Sequence, residues 1–215
     1  VGVAVGVSSS STGNVDFTST GNINAGFGAV NILTSAGDIV ANVNDVFSRY
    51  GGIYLKSQSG KISLNTIGDV ASFSDTAIEV ATNSGSIIVS VDGGVSGGEL
   101  TGSAIATGAD LGSMVSINLH SGANVSSGSG VAITDTNGDA TVTIGAGATV
   151  SGEISLGDGS DSLIITAGAD VSGVTLLDGT IDRGKLLISF ERIHRIGEFR
   201  VSRKGIIGPN RYLKL

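Results

Sequence analysis

The stretch 58–66 reads QSGKISLNT: a small residue and a glycine precede a short strand in which apolar and polar residues alternate. Five more copies of this arrangement occur along the chain, as SAGDIVANV, NSGSIIVSV, DLGSMVSIN, TNGDATVTI and GDGSDSLII. Their glycines succeed one another at steps of 21 to 27 residues: Gly37, Gly60, Gly85, Gly112, Gly138 and Gly159. A repeat of this length is typical of a solenoid, in which each repeat stacks on the next to bury its apolar face.

Two further series run in step with the first. A second set of glycines precedes another short strand: Gly68, Gly93, Gly122, Gly147 and Gly168. A third set of positions is apolar: Ile53, Leu55, Ile78, Val80, Ile105, Ile133, Ile154 and Leu156. Three strands per repeat make one coil of a β-helix, so the sequence predicts an all-β, right-handed parallel β-helix of about eight coils over residues 1–182. A β-sandwich also has many short strands, but it needs no glycine corner at a near-constant spacing.

The alternation of residues predicts which side chains enter the core. Ile62 and Leu64 should point inward while Ser63 faces water, and Val142 and Ile144 should do the same on a later coil. Glycine at a corner permits a positive φ, at which a β-branched residue is strained. We therefore expect the six glycines of the first series to stack at one corner of the helix.

The composition excludes several other classes of protein. The chain has 35 glycines without a three-residue period, and 40% of its residues are hydrophobic, which excludes collagen and a disordered linker. It has no cysteine, so neither a disulfide framework nor a thiolate metal site is expected. No apolar run is long enough for a transmembrane helix, and residues 1–7 (VGVAVGV) are interpreted as the first strand of a fragment rather than a signal peptide.

Charge divides the chain into two parts. Residues 1–182 hold 3 of the 12 basic residues but 17 of the 19 acidic residues, which gives this body a net charge of −14 and residues 183–215 one of +7. An acidic body is not expected to bind nucleic acid, because it offers few cations to phosphate groups. The basic segment 183–215 keeps an apolar alternation, as in Leu186 and Ile188, and we expect it to dock as a further coil or cap through about Val201.

Three stretches resemble secreted proteins of Gram-negative bacteria. The stretch 147–173, GATVSGEISLGDGSDSLIITAGADVSG, is similar to the coils of autotransporter passenger domains, and the likeness extends best over residues 104–182. ISFERIHRIGEFRVSRKG, at 188–205, resembles the coil that follows the last regular repeats of such passengers, although its arginines are denser. STGNVDF and STGNINAGF, within the first 36 residues, resemble the repeats of filamentous-haemagglutinin-type exoproteins.

These resemblances imply a β-helical stalk or adhesin that is exported by type V secretion and exposed at the outer membrane or released. They imply attachment to a host-cell receptor, a matrix protein or a glycan, with a role in virulence and with possible self-association. No membrane insertion by this segment and no cofactor are implied. The alternative function is a β-helical enzyme that degrades polysaccharide, as a lyase or a glycoside hydrolase.

One motif is similar to a calcium-binding sequence. The stretch 156–164, LGDGSDSLI, nearly fits the calcium-binding nonapeptide but lacks its first glycine. Calcium is shared between tandem turns of such repeats, whereas this motif occurs once. We therefore expect Asp158 and Asp161 to cap amides at a corner, and we predict no metal ligands in the chain.

No catalytic constellation is evident from the sequence. The acids Asp69, Asp75, Glu79, Asp135 and Asp139 are interpreted as solvated corner residues rather than a pair placed for glycoside hydrolysis. No aromatic residue, which a sugar-binding groove would need, occurs between Phe73 and Phe190. A nucleophilic serine needs a histidine base, and the one histidine of the body, His120, is expected to be an exposed strand residue. The chain is thus predicted not to be an enzyme.

One stretch of the body differs from the rest in its side chains. SRYGGIYLK holds Arg49, Tyr50, Tyr54 and Lys56, and Lys61 follows closely. This is either a contact patch for a receptor or glycan or a longer loop that covers one corner of the helix. The loop is the simpler interpretation, and the sequence favours it.

Overall fold

The computed structural model describes residues 4–9, 12–176 and 185–188 of the chain. All regular structure in these ranges is β-strand, the strands pair in parallel, and they stack as a parallel β-helix of about seven turns. The predicted fold class is confirmed. Since these ranges contain no helix, they contain none that is long and apolar enough to cross a bilayer.

Each coil presents three faces. Face one is built from β1 (Val5–Ser9), β4 (Val30–Thr34), β7 (Ile53–Ser57), β10 (Ile78–Thr82) and β13 (Ile105–Gly108). Face two contains β2 (Val15–Ser19), β5 (Ile39–Val43), β8 (Ile62–Thr66), β11 (Ile87–Val91), β14 (Met114–Leu119), β16 (Asp139–Ile144), β18 (Ser162–Ile165) and β20 (Lys185–Ile188). Face three begins with β3 (Ile23–Ala25), β6 (Val46–Ser48), β9 (Val70–Ser72) and β12 (Gly94–Gly97).

Three longer strands turn the corner from face three to face one without a break: β15 (Asn124–Asp135), β17 (Thr149–Ser155) and β19 (Asp170–Leu176). The first part of β15 pairs with β12, and its last part pairs with β13. The end of one coil and the start of the next are therefore one strand from coil 5 onward. Coils 2 to 5 instead begin with β4, β7, β10 and β13, each separated from the preceding strand by a loop.

The strand register fixes the length of each coil. Ile105 pairs with Ile133, a step of 28 residues, whereas Ile133 pairs with Ile154, a step of 21. Seven coils are complete, and the end of β19 begins an eighth, to which β20 adds a face-two strand paired with β18. Apart from β20, residues 183–215 lie outside the described ranges, so docking of this segment through Val201 stays a prediction.

The core is a column of stacked aliphatic side chains. Ile39, Ile62 and Ile87 lie above one another on face two, and all three are fully buried. Leu64, Val142 and Ile144 are buried as predicted, whereas Ser63 and Thr143 on the outer side are only partly so. Burial of each large aliphatic side chain contributes about 1.5–3 kcal/mol.

The predicted glycine ladder is formed at five of its six positions. A Cβ placed on Gly37, Gly60 or Gly85 would overlap the carbonyl oxygen of the glycine one coil below, which for Gly37 is Gly13. Gly138 and Gly159 continue the ladder on later coils. The expected positive φ is wrong for Gly37, Gly60, Gly85 and Gly138. The close approach of stacked backbones requires glycine at the first three, and the Val115 side chain leaves no room for a Cβ at Gly138.

The prediction for Gly112 is wrong by one residue. The register pairs Ile87 with Val115, which places Ser113 above Gly85. Gly112 instead occupies a turn with a φ of 81°, and a Cβ there would meet open space. This corner closes through a hydrogen bond from the Ser113 amide to the Asp110 carbonyl.

Candidate functional site

An open groove of about 340 Å³ runs across coils 2 to 4, where the corner loops from face three enter face one. It is lined by residues from three successive corners and the strands that follow them: Gly28, Asn31, Gly51, Gly52, Ile53, Tyr54, Asp75, Thr76 and Glu79. The groove therefore exists only because coils stack, since these residues span 51 positions of sequence.

A column of three outward side chains lies along this groove. Asn31 of β4 pairs with Tyr54 of β7, and Tyr54 pairs with Glu79 of β10. Parallel strands lie about 4.8 Å apart, so an amide, a phenol ring and a carboxyl group follow one another along the helix axis. The ring of Tyr54 is the centre of the column.

The corner side of the groove lacks side chains. A Cβ at Gly28 or Gly51 would meet no atom within 4 Å, so both glycines leave space above the backbone open. Gly51 turns with a φ of 65°, whereas Gly52 packs tightly against the carbonyl of Ala77 on the next coil. Backbone packing thus fixes the floor while the glycines keep it free of side-chain atoms.

The polar atoms of the groove are mainly hydrogen-bond acceptors. The Oδ1 atom of Asn31 is buried and has no hydrogen-bond partner in the described structure. Burial raises the pKa of Glu79, and repulsion from Asp75 adds to this rise, while the nearby Lys56 opposes it. Asp75 accepts a hydrogen bond of 2.8 Å from the amide of Thr76. The groove is therefore suited to a ligand that donates hydrogen bonds.

Two stacked aromatic rings stand beside the groove. Phe27 and Tyr50, which immediately precede Gly28 and Gly51, have ring centroids 5.0 Å apart and planes inclined by 19°. Their exposed fractions are 52% and 40%. The Arg49 guanidinium lies 5.5 Å from the centroid of the Tyr50 ring, within the range of a cation–π contact. The rim thus combines an exposed apolar surface with a positive charge.

The structure brings together most of the patch singled out in the sequence. Arg49 and Tyr50 lie at the rim, Tyr54 lies in the groove, and Lys56 is close enough to Glu79 to affect its titration. Lys61 belongs to a different corner, where its amide donates to Asp38. Sequence reasoning missed Phe27 and Asn31 because they belong to the preceding corner and strand, and nothing local to 49–61 indicates them.

Two further acids, which were expected to be solvated corner residues or caps, are buried instead. Asp135 is only 2% exposed, and its carboxylate accepts hydrogen bonds from the Thr107 hydroxyl at 2.6 Å and the Gly138 amide at 2.9 Å. Burial raises the pKa of Asp135 to about 6, although these hydrogen bonds oppose the rise. The expectation of a solvated side chain is therefore wrong for Asp135.

Asp161 lies on the coil above and is 4% exposed. Its Oδ1 accepts a hydrogen bond from the Ala140 amide at 2.9 Å, as expected of a corner cap, while its Oδ2 is buried without a partner in the described ranges. Burial raises its pKa, and the charges of Asp139 and Asp158 add to the rise. Asp158 itself is exposed.

Asp69 and Asp139 cap backbone amides on the neighbouring coils. Asp69 accepts from the Gly94 amide at 2.7 Å, and Asp139 accepts from the Ser160 amide at 2.9 Å. Across residues 4–9, 12–176 and 185–188, no group of three or more histidine and acidic side chains is placed to hold a metal ion. These carboxylates join one coil to the next through backbone amides.

His120 is exposed as expected, but it follows the end of β14 rather than lying in the strand. Its Nδ1 lies 2.6 Å from Oδ1 of Asp92 on the coil below, and both side chains are largely open to solvent. An exposed pair of this kind contributes at most about 1 kcal/mol to stability. It joins coil 4 to coil 5 at the surface.

Comparisons of the chain with protein-family models, with curated proteins and with solved structures gave no match.

Proposed function

We propose that this chain is the β-helical stalk of an autotransporter-like adhesin, displayed at the bacterial surface or secreted, and that one corner of the stalk attaches to a receptor on another cell. The observation that carries the proposal is the placement of the aromatic residues. Phe27 and Tyr50 stack on each other beside the groove with their rings largely exposed, next to the Arg49 guanidinium. Exposed apolar surface that is concentrated in one place marks an interaction site.

The stacked coils support the stalk part of the proposal. Seven coils at about 4.8 Å each give a rod roughly 34 Å long whose core is continuous from coil to coil. Such a rod holds its corner residues in a fixed row, since each coil is hydrogen-bonded to the next through all three faces. The sequence resemblance to autotransporter passengers supports the same function and the same location.

The experiment is an attachment assay with the whole chain on beads. Beads that carry the chain are expected to attach to cultured epithelial cells well above uncoated beads. The double variant Phe27→Ala/Tyr50→Ala removes the exposed ring pair and should reduce attachment at least fivefold. The matched control Leu111→Ala/Met114→Ala removes two exposed apolar side chains away from this corner and should attach like the parent chain.

Failure of the parent-chain beads to attach, or equal attachment by the ring-pair variant, would contradict the proposal. The groove also holds two carboxyl groups, Asp75 and Glu79, so the same preparation is assayed for release of reducing ends and unsaturated uronates from polysaccharides. Release that is lost in Glu79→Gln would favour the polysaccharide-degrading enzyme instead.

A further inference from the structure

We infer that the groove along Asn31, Tyr54 and Glu79 binds a saccharide without negative charge. This inference rests on the proposed adhesive function, because it names the chemical class of the receptor group. It concerns the groove itself, whereas the attachment assay concerns the ring pair at its rim.

The arrangement of the column fits a sugar chain. The column has an aromatic ring in the middle and polar groups on both sides, and it spans on the order of 10 Å from Asn31 to Glu79. The apolar face of a sugar ring packs on an aromatic ring, while its hydroxyl groups point outward around its edge. A sugar on Tyr54 therefore directs hydroxyl groups toward Asn31 on one side and Glu79 on the other.

Hydrogen-bond chemistry supports the same class of ligand. The unpartnered Oδ1 of Asn31 and the carboxylates of Asp75 and Glu79 accept hydrogen bonds. Leaving a buried acceptor without a partner costs about 1–3 kcal/mol, so a turn of the Asn31 amide that brings its Oδ1 to a sugar hydroxyl group regains part of this cost. Sugar hydroxyl groups supply several donors within a short distance.

Charge disfavours both acidic sugars and cationic peptides. Asp75 and Glu79 repel sulfate, sialate and uronate groups, and the net charge of −14 on residues 1–182 adds to this repulsion. A cationic peptide would find Arg49 at the rim and Lys56 near Glu79 already in place. An uncharged ligand avoids both conflicts.

Two glycines provide a sharp steric test. Gly28 lies in the groove and Gly21 lies at the preceding corner outside it, and at both positions an added Cβ meets open space and no strained φ. Gly28→Leu should therefore fill the groove without disturbing the fold, and Gly21→Leu is its matched control. Equal melting temperatures of the two variants verify that the fold is unchanged.

Binding is measured by calorimetry and on a glycan array with maltotetraose, chitotetraose, lacto-N-tetraose, a heparin tetrasaccharide and pentalysine. We expect at least one of the three uncharged oligosaccharides to bind the parent chain and Gly21→Leu equally. Gly28→Leu should lower that affinity at least tenfold, and the heparin tetrasaccharide should not bind. Binding of pentalysine alone, of no probe, or of a sugar that Gly28→Leu retains would overturn the inference.

The two proposals fail in different ways. If the chain attaches to cells but no uncharged sugar binds in the groove, the adhesive function stands and the saccharide site is wrong. If a sugar binds and Gly28→Leu abolishes it while coated beads do not attach, the saccharide site stands and the adhesive function is wrong.

Discussion

Coils 1 to 4 and coils 5 to 7 close the corner between face one and face two with different chemistry. In the N-terminal half the corner is neutral: Thr34 and Ser57 are buried, and both hydroxyl groups donate to the carbonyl of Gly37. In the C-terminal half the same corner is built on the buried carboxylates of Asp135 and Asp161. One fold therefore tolerates two solutions, and only the second one links stability to pH.

The backbone at the corners differs as well. Of the ten glycines with positive φ in the described ranges, only Gly51 precedes residue 100. In the N-terminal half, the stacked glycines are needed because a Cβ would overlap the backbone of the neighbouring coil. In the C-terminal half, most corner glycines adopt a positive φ. Substitutions at the two kinds of glycine should consequently differ in cost.

Gly60→Val should have the largest effect, because its side chain would overlap the carbonyl of Gly37 and separate two stacked coils. We expect a loss of about 4 kcal/mol in the free energy of unfolding, measured by urea titration. Gly21→Val, at an open position, should cost less than about 1 kcal/mol. Equal losses would mean that close stacking is not what the N-terminal corner requires.

Asp135→Asn tests whether a buried carboxylate makes the stability of the C-terminal half depend on pH. Because burial raises the folded-state pKa of Asp135 to about 6 from 3.8, its contribution is fully present below pH 4 and lost as pH rises through 6. The asparagine side chain of the variant is uncharged at every pH. The variant should match the parent chain near pH 4 and exceed its stability above pH 6.5 by about 2 kcal/mol. A difference that does not depend on pH would refute the buried-carboxylate account.

Ser57→Ala tests the neutral corner. The hydroxyl donates to the Gly37 carbonyl at 3.0 Å and accepts from the Gly60 amide at 2.8 Å. Its loss removes the partner of the Gly60 amide and one of the two hydrogen bonds that the Gly37 carbonyl accepts. We expect a loss of about 2 kcal/mol that is the same at pH 5 and pH 8. Ser57→Thr should be tolerated, because Thr82 holds the equivalent position one coil above. A loss of stability in Ser57→Ala that changed with pH would contradict the statement that only the C-terminal corner links stability to pH.

Gly112→Ala should lower the free energy of unfolding less than Gly60→Val does. A Cβ at Gly112 meets open space, and only the φ of 81° is unfavourable. The expected loss is about 1 kcal/mol. Gly112→Asn should recover part of it, since asparagine accepts this backbone conformation more readily. If Asn and Ala cost the same, conformation is not the cause.

Calcium should have the smallest effect of all. Asp161 is occupied with the amide of Ala140, and Asp158 is exposed. The melting temperature should therefore be the same in a calcium buffer and in a chelator. A clear rise with calcium would show that the corner of coil 7 binds the ion and is more than a backbone cap.

The sequence was sufficient for the architecture because stacking imposes the same requirement on every coil. It failed at Gly112, where DLGS offers both a glycine and a serine and only the register with β11 shows that Ser113 occupies the ladder position. It failed at Asp135 for a related reason. TDTNGDA has the composition of a solvated turn, but pairing of Asp135 with Thr107 places the carboxylate inside.

The candidate site was less predictable than the fold. Tyr54 and Arg49 are conspicuous in sequence, but their neighbours in the groove come from positions about 25 residues away on adjacent coils. Only the exact register decides that Asn31 and Glu79 flank Tyr54. A shift of one residue would have turned both side chains toward the core.

The pairing of every coil with the next gives the rod a mechanical character. Strands run across the rod, so their hydrogen bonds point along its axis and carry any tension between its two ends. A pulling force then opens the hydrogen bonds of one terminal coil at a time. Each coil of 21 to 28 residues releases roughly 70–95 Å of extended chain. Under tension, a rod of this kind is expected to lengthen in steps and to absorb work at each step.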